Sequence, residues 1–170
     1  MRAVKCFVLA VVFGLALASF AQAKDMKLAF VDLSRVFDNY QKTKDSDVVL
    51  QKDSQTFQQE RDKMIEKIRD AQGKLALLKE SEKQKIQADI DKQKSDLIEY
   101  DKQKRTELAK ARDEKVREIL LEIEKNVSEM AKKEGYDMIF NDRVLVYGDQ
   151  TMNLTEKVLK GLNDAYPGKK

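Results

Sequence analysis

From Lys42 to Lys133 the chain carries no proline and one glycine, Gly73, and apolar residues step through it at a fixed rhythm. In the first half they fall at Leu50, Phe57, Met64, Ile68, Ala71, Leu75 and Leu78. In the second they fall at Ile86, Ile90, Leu97, Leu108, Val116, Ile119, Ile123, Val127 and Met130. Spacings of seven, four and three among Lys, Glu, Gln, Asp and Arg make the narrow seam of a coiled coil, not the broad stripe of a helix on a globular core. Two helices therefore fold back on each other. The polar run from Lys79 to Gln84 separates them, and Ser81 with Gln84 three residues on forms a capping box, so the expected tip lies at 79–84. A tip at Gly73 would strand Leu75, Leu77 and Leu78 just past the turn. At about 1.5 Å per residue each arm would run roughly 55 to 75 Å.

The first 23 residues read as a secretory leader. Arg2 and Lys5 supply its positive start, Cys6 to Phe20 its apolar stretch, and Ala21-Gln22-Ala23 its small-residue end, with cleavage between Ala23 and Lys24. The apolar stretch is shorter than the roughly 20 residues of a membrane span. The formal charge of +3 shrinks without this leader, because removing Arg2 and Lys5 from 33 basic residues leaves 31 against 30 acidic. Acid and base interleave along the arms, so no nucleic-acid partner is expected. The only cysteine, Cys6, leaves with the leader, which makes the mature chain indifferent to the redox state of an exported compartment.

An enzyme is hard to build from this set of residues. The chain has no histidine, and no cysteine after the leader, so the common general base, nucleophile pairs and zinc sites are missing. The carboxylates sit among lysines at helix-surface spacing, as in a solvated, ion-paired face. Asp89-Ile90-Asp91 opens like a calcium loop, but its sixth position is Lys94 and its twelfth is Tyr100. No glycine-rich phosphate loop occurs. Catalytic residues, cofactors and metal ligands are therefore not expected.

Outside the arms, residues 24–41 and 135–170 supply a small body. Lys27 to Val31 is a short strand ending at Asp32, which caps a helix with Val36, Phe37 and Tyr40 on one face. Gly135 ends the second arm. Tyr136 to Phe140 and Val144 to Tyr147 then read as a β-hairpin around Asn141-Asp142-Arg143. Thr155 caps a last helix with Val158, Leu159 and Leu162 inward, ahead of Pro167. Phe30, Ile139, Val144 and Val146 are the expected buried strand residues. A body below roughly 70 residues seldom holds a core alone, so subunits are expected to pool their strands.

The stretches Lys27 to Phe37, Gly135 to Phe140, Val144 to Tyr147 and Asn153 to Leu159 together resemble the Skp/OmpH family of periplasmic chaperones. The resemblance implies a mainly α fold with a small β body, a homotrimer in which strands of three chains make a barrel-like body, and helical tentacles that enclose a cavity. It implies a holdase that keeps unfolded outer-membrane proteins from aggregating in transit through the periplasm, without ATP. The alternative is an exported coiled-coil spacer or adaptor bridging envelope components. Apolar residues off the seam, Ile65, Leu77, Ile98 and Tyr100, are the candidate cargo contacts. The basic residues Lys74, Lys79, Lys83 and Lys85, with Lys67 and Arg69 nearby, are candidates for contact with lipopolysaccharide or a membrane surface. Antiparallel pairing around the tip sets Phe57 near Arg105, and the polar seam residues Arg61 and Lys104 near each other.

Overall fold

The computed structural model describes residues 25–75 and 77–168. The leader and its cleavage point between Ala23 and Lys24 lie outside them. In chain order the elements are β1 (Leu28–Val31), α1 (Leu33–Asn39), α2 (Gln41–Leu75), α3 (Glu80–Glu134), β2 (Met138–Asn141), 3-10 turns at Asp142–Val144 and Gln150–Met152, and α4 (Thr155–Ala165).

Local chemistry sets most of these boundaries. The Asp32 carboxylate accepts from the Arg35 N–H at 2.8 Å and starts α1. That helix ends where Tyr40 adopts an extended backbone, φ −66° and ψ 129°, and α2 begins one residue later. At the far end of α3, Gly135 sits at φ 73° while the Tyr136 N–H donates to the Ala131 carbonyl at 2.9 Å, a Schellman closure.

The helical hairpin α2–α3 is the crossover between two parallel strands, which pair Leu28 with Met138 through Val31 with Asn141. Ala29 and Val31 point from the sheet into the core, where they meet Val36, Tyr40, Ile119, Ile123, Leu154, Val158 and Leu162. The returning helix α3 thus belongs to arm and body at once. It contributes Ile90 to the one and Ile119 and Ile123 to the other.

Three expectations are corrected. The 136–147 stretch is not a hairpin: β2 pairs with β1, and the chain then turns away. The Asn141 side chain accepts from the Arg143 N–H at 3.3 Å, and the Leu145 N–H donates to the Asp142 carbonyl at 2.9 Å, closing a 3-10 turn. Val144 and Val146 are consequently exposed, Ile139 is half-buried, and only Phe30 of the four expected residues is fully covered. Second, Ser81 caps nothing. It lies inside α3, whose N-cap position is Lys79 with no side-chain cap bond, and the turn falls just before it. Glu80 and Glu82 place negative charge in that first turn, where the helix dipole favours it. Third, the Thr155 hydroxyl does not cap α4 but accepts from the Asp32 N–H at 2.9 Å, while the Asn153 side chain takes the Thr155 N–H at 3.0 Å.

Candidate functional site

The arm is held by few side chains. Phe57 and Ile68 are the buried apolar residues of α2, and Ile90 is the one α3 buries beyond the body. Midway, the Phe57 ring lies 5.9 Å from that of Tyr100 and under the Arg105 guanidinium, also at 5.9 Å. Asp101 accepts from Arg61 across the hairpin at 3.1 Å and from Arg105 at 2.6 Å on its own helix. These bonds hold its carboxyl below the usual range, the Arg105 hydrogen bond foremost. Arg61 thus finds a carboxylate across the hairpin, and Lys104 pairs with Glu107 on its own helix.

At the root of the arm the contacts are denser. Tyr40 is fully buried, edge-on to Tyr166 at 5.8 Å, and its hydroxyl donates to Glu122 at 2.6 Å. Burial first, and that carboxylate second, push the Tyr40 phenol well above its ordinary value. Lys42 reaches Glu118 at 2.8 Å and Glu122 at 2.5 Å. Hydrogen bonds from Lys115 and Lys42 pull Glu118 down to about 2. Burial opposes ionisation of Glu122, yet the bonds from Lys42 and Tyr40 leave its pKa lowered.

The sheet has one face in the core and one that is only partly covered. Alternation puts Ala29, Val31 and Ile139 on the core side, so Leu28, Phe30, Met138 and Phe140 share the other. Phe30 is shielded by the loop at Gly148, where an added Cβ would sit 2.7 Å from its ring. Leu28 and Met138 remain exposed, and so do Met26, Val144, Val146 and Tyr147.

The family model described as outer membrane protein (OmpH-like) matches residues 27–162. The chain belongs to this family. Chaperone protein Skp of Yersinia enterocolitica is 28% identical to it over 160 residues, 86% of this chain and 92% of that protein. Chaperone protein Skp of Vibrio cholerae is 28% identical over 143 residues, 80% of this chain and 83% of the relative. A Caulobacter crescentus structure described as an OmpH-like outer membrane chaperone shares the fold, with a TM-score of 0.77 at 9% identity, across 85% of this chain and 88% of that one. The family resemblance read from the sequence holds.

In this OmpH-like chain the four apolar candidates part company. Leu77, in the turn, is 88% exposed, and Ile98 is 70% exposed on the outside of α3. Ile65 is half-buried, and Tyr100 lies half-buried against Phe57, in the seam. Among the basic candidates Lys74, Lys79 and Lys85 are exposed, whereas Lys83 is half-buried and pairs with Glu80 at 2.9 Å. Sequence reasoning missed Val48 and Val49, 65% and 56% exposed near the root of α2. Their signal was present, as two adjacent apolar residues off the seam. Among the described residues no cluster could hold a metal ion, and no helix is long and apolar enough to cross a membrane.

Proposed function

We propose that the chain is a periplasmic holdase: it binds unfolded outer-membrane proteins between helical arms and prevents their aggregation, without ATP or metal. The observation that carries this reading is apolar side chains exposed on a long, otherwise charged arm, in a chain of the OmpH-like family with Skp chaperones among its relatives. An unfolded client offers many weak apolar contacts, and separated residues such as Leu77, Ile98, Val48 and Val49 suit it better than one deep pocket. Interleaved charge keeps the arm itself soluble.

Assembly as a homotrimer completes the proposal. The exposed edge of the sheet at Leu28 and Met138, and the exposed side chains of Val144, Val146 and Tyr147, are surfaces that a second copy would cover. On this reading the Val-Leu-Val-Tyr run has strand composition because its pairing partner is another chain. Met138→Lys should shift the protein from trimer toward monomer in sedimentation at micromolar concentration, and a parent protein that sediments as a folded monomer would refute the assembly. The tip, where Leu77, Lys74, Lys79 and Lys85 are all exposed, is the proposed contact for lipopolysaccharide or an anionic membrane surface.

The decisive experiment dilutes a urea-unfolded outer-membrane β-barrel protein into buffer containing the mature chain and follows light scattering. Suppression at subunit excess, unaffected by ATP or a chelator, is the expected result. Aggregation that proceeds unchanged would leave the spacer reading in its place.

A further inference from the structure

The two helices of the arm are anchored to the body in different ways. α3 runs unbroken over 55 residues, and its last third is part of the core through Ile119 and Ile123. α2, of 35 residues, joins the body through the single extended residue Tyr40. Immediately after that break its root is gripped from both sides. Lys42 is bridged to Glu118 and Glu122 of α3, the Gln41 N–H donates to the Asn163 side chain of α4 at 2.9 Å, and the Tyr166 hydroxyl donates to Asp45 at 3.2 Å. The next buried residue along α2 after Thr43 is Phe57. Between them the seam is thin: Leu50 and Leu108 are only half-buried, beside an open groove of about 400 Å³ that runs along the outside of the pair.

Two parallel rods about 9 Å apart must slide past each other by about 1.6 Å for every 10° of bending, roughly one residue's rise. α3 cannot supply the slide, because its end is fixed in the core. We propose that α2 supplies it, that Tyr40 is the slip joint, and that the Lys42 bridges to Glu118 and Glu122 are the lock that sets the register of α2 on α3. With the lock closed the arm is a stiff double rod. With it open, α2 shifts lengthwise through the stretch where none of its side chains is fully buried, and the arm bends along α3. The device stands on the arm's geometry alone and holds whatever the arm binds.

The test uses spin labels on the full mature chain, with labelled chains diluted into unlabelled protein. One pair, Gln51→Cys with Lys125→Cys, is offset by about 22 Å along the arm so that a lengthwise slide changes its distance almost one for one, and another, Ser81→Cys with Lys160→Cys, reads the bend. Lys42→Met should move the first mean distance by about 1 to 2 Å, widen the second distribution, and speed amide exchange over 44–56 about fivefold. Lys42→Arg, which keeps both bridges, should restore the parent values. Glu122→Gln retains an acceptor for Tyr40, weakens one bridge only, and should give an intermediate result if Lys42→Met proves unfolded by circular dichroism. A folded Lys42→Met protein with both distances unchanged overturns the lock. A widened tip-to-body distribution with no cross-arm shift overturns the slip joint.

Discussion

Ile123 in the body and Ile90 in the arm are equally buried, at 1% exposure each, and yet they hold different amounts of structure. Around Ile123, side chains from the sheet, α1, α3 and α4 converge on one cluster. Around Ile90 there is only the facing helix, and the nearest fully buried α2 residue is Ile68. A shared core makes unfolding cooperative, whereas a seam of separated contacts lets segments open one at a time. The degree of burial of a single residue therefore says little about what its removal costs. The number of elements that meet there says more.

Truncation separates the two regions most sharply. Ile123→Ala should lower stability by about 2 to 5 kcal/mol, visible as a fall in the main thermal transition. Ile90→Ala should leave that transition nearly in place and speed amide exchange only around 86–94. If Ile90→Ala lowers the main transition as much, arm and body unfold as one unit.

Acid should act next, and at the root. Glu118 and Glu122 have folded pKa values below the roughly 4.3 of an unfolded glutamate. Their contribution is complete above that value and is lost as pH falls toward about 2. Urea midpoints for the parent should drop over this window, and Glu118→Gln should flatten the drop. Parallel curves for the two proteins would remove this pair from the acid response.

Smaller changes probe the arm alone. Gly73 lies inside α2 with nothing within 4 Å of an added Cβ, so Gly73→Ala should stabilise the distal arm by about 1 kcal/mol. Slower exchange at 68–75, with the main transition unmoved, is the check. Arg61→Leu should cost least. It trades a partly exposed ion pair for a seam leucine, and a net change within about 1 kcal/mol is expected in arm exchange. A larger loss would mean that Asp101 depends on Arg61 more than on Arg105.

The arms were legible because periodicity is a local property. Phe57 near Arg105 follows from counting back from a tip, and the rings and guanidinium are there. The body was legible residue by residue but not in its pairing. Tyr136 to Phe140 shows strand composition, yet composition does not say which edge a strand will choose, and its partner β1 lies some 110 residues upstream, where the Lys27 N–H donates to Asp137. Ser81 and Thr155 failed for different reasons. A hydroxyl near a helix start is a capping candidate in any sequence, but α3 begins before Ser81, and the Asp32 N–H claims the Thr155 hydroxyl. Lys42 gave no signal as a double bridge, since its partners are 76 and 80 positions away on the returning helix.

The parallel register of β1 on β2 also makes arm length a free variable. The outgoing and returning helices cancel, so the point where Met138 meets Leu28 does not depend on how far out the turn lies. Deleting seven residues from α2 and the seven facing them on α3 would withdraw the tip by about 10 Å and keep both faces in phase. Deleting from one helix alone would rotate its seam by about 100° per residue and misalign every contact beyond. The reach of the arm can be lengthened or shortened in matched heptads without disturbing the sheet, as a drawbridge can change span on the same abutment.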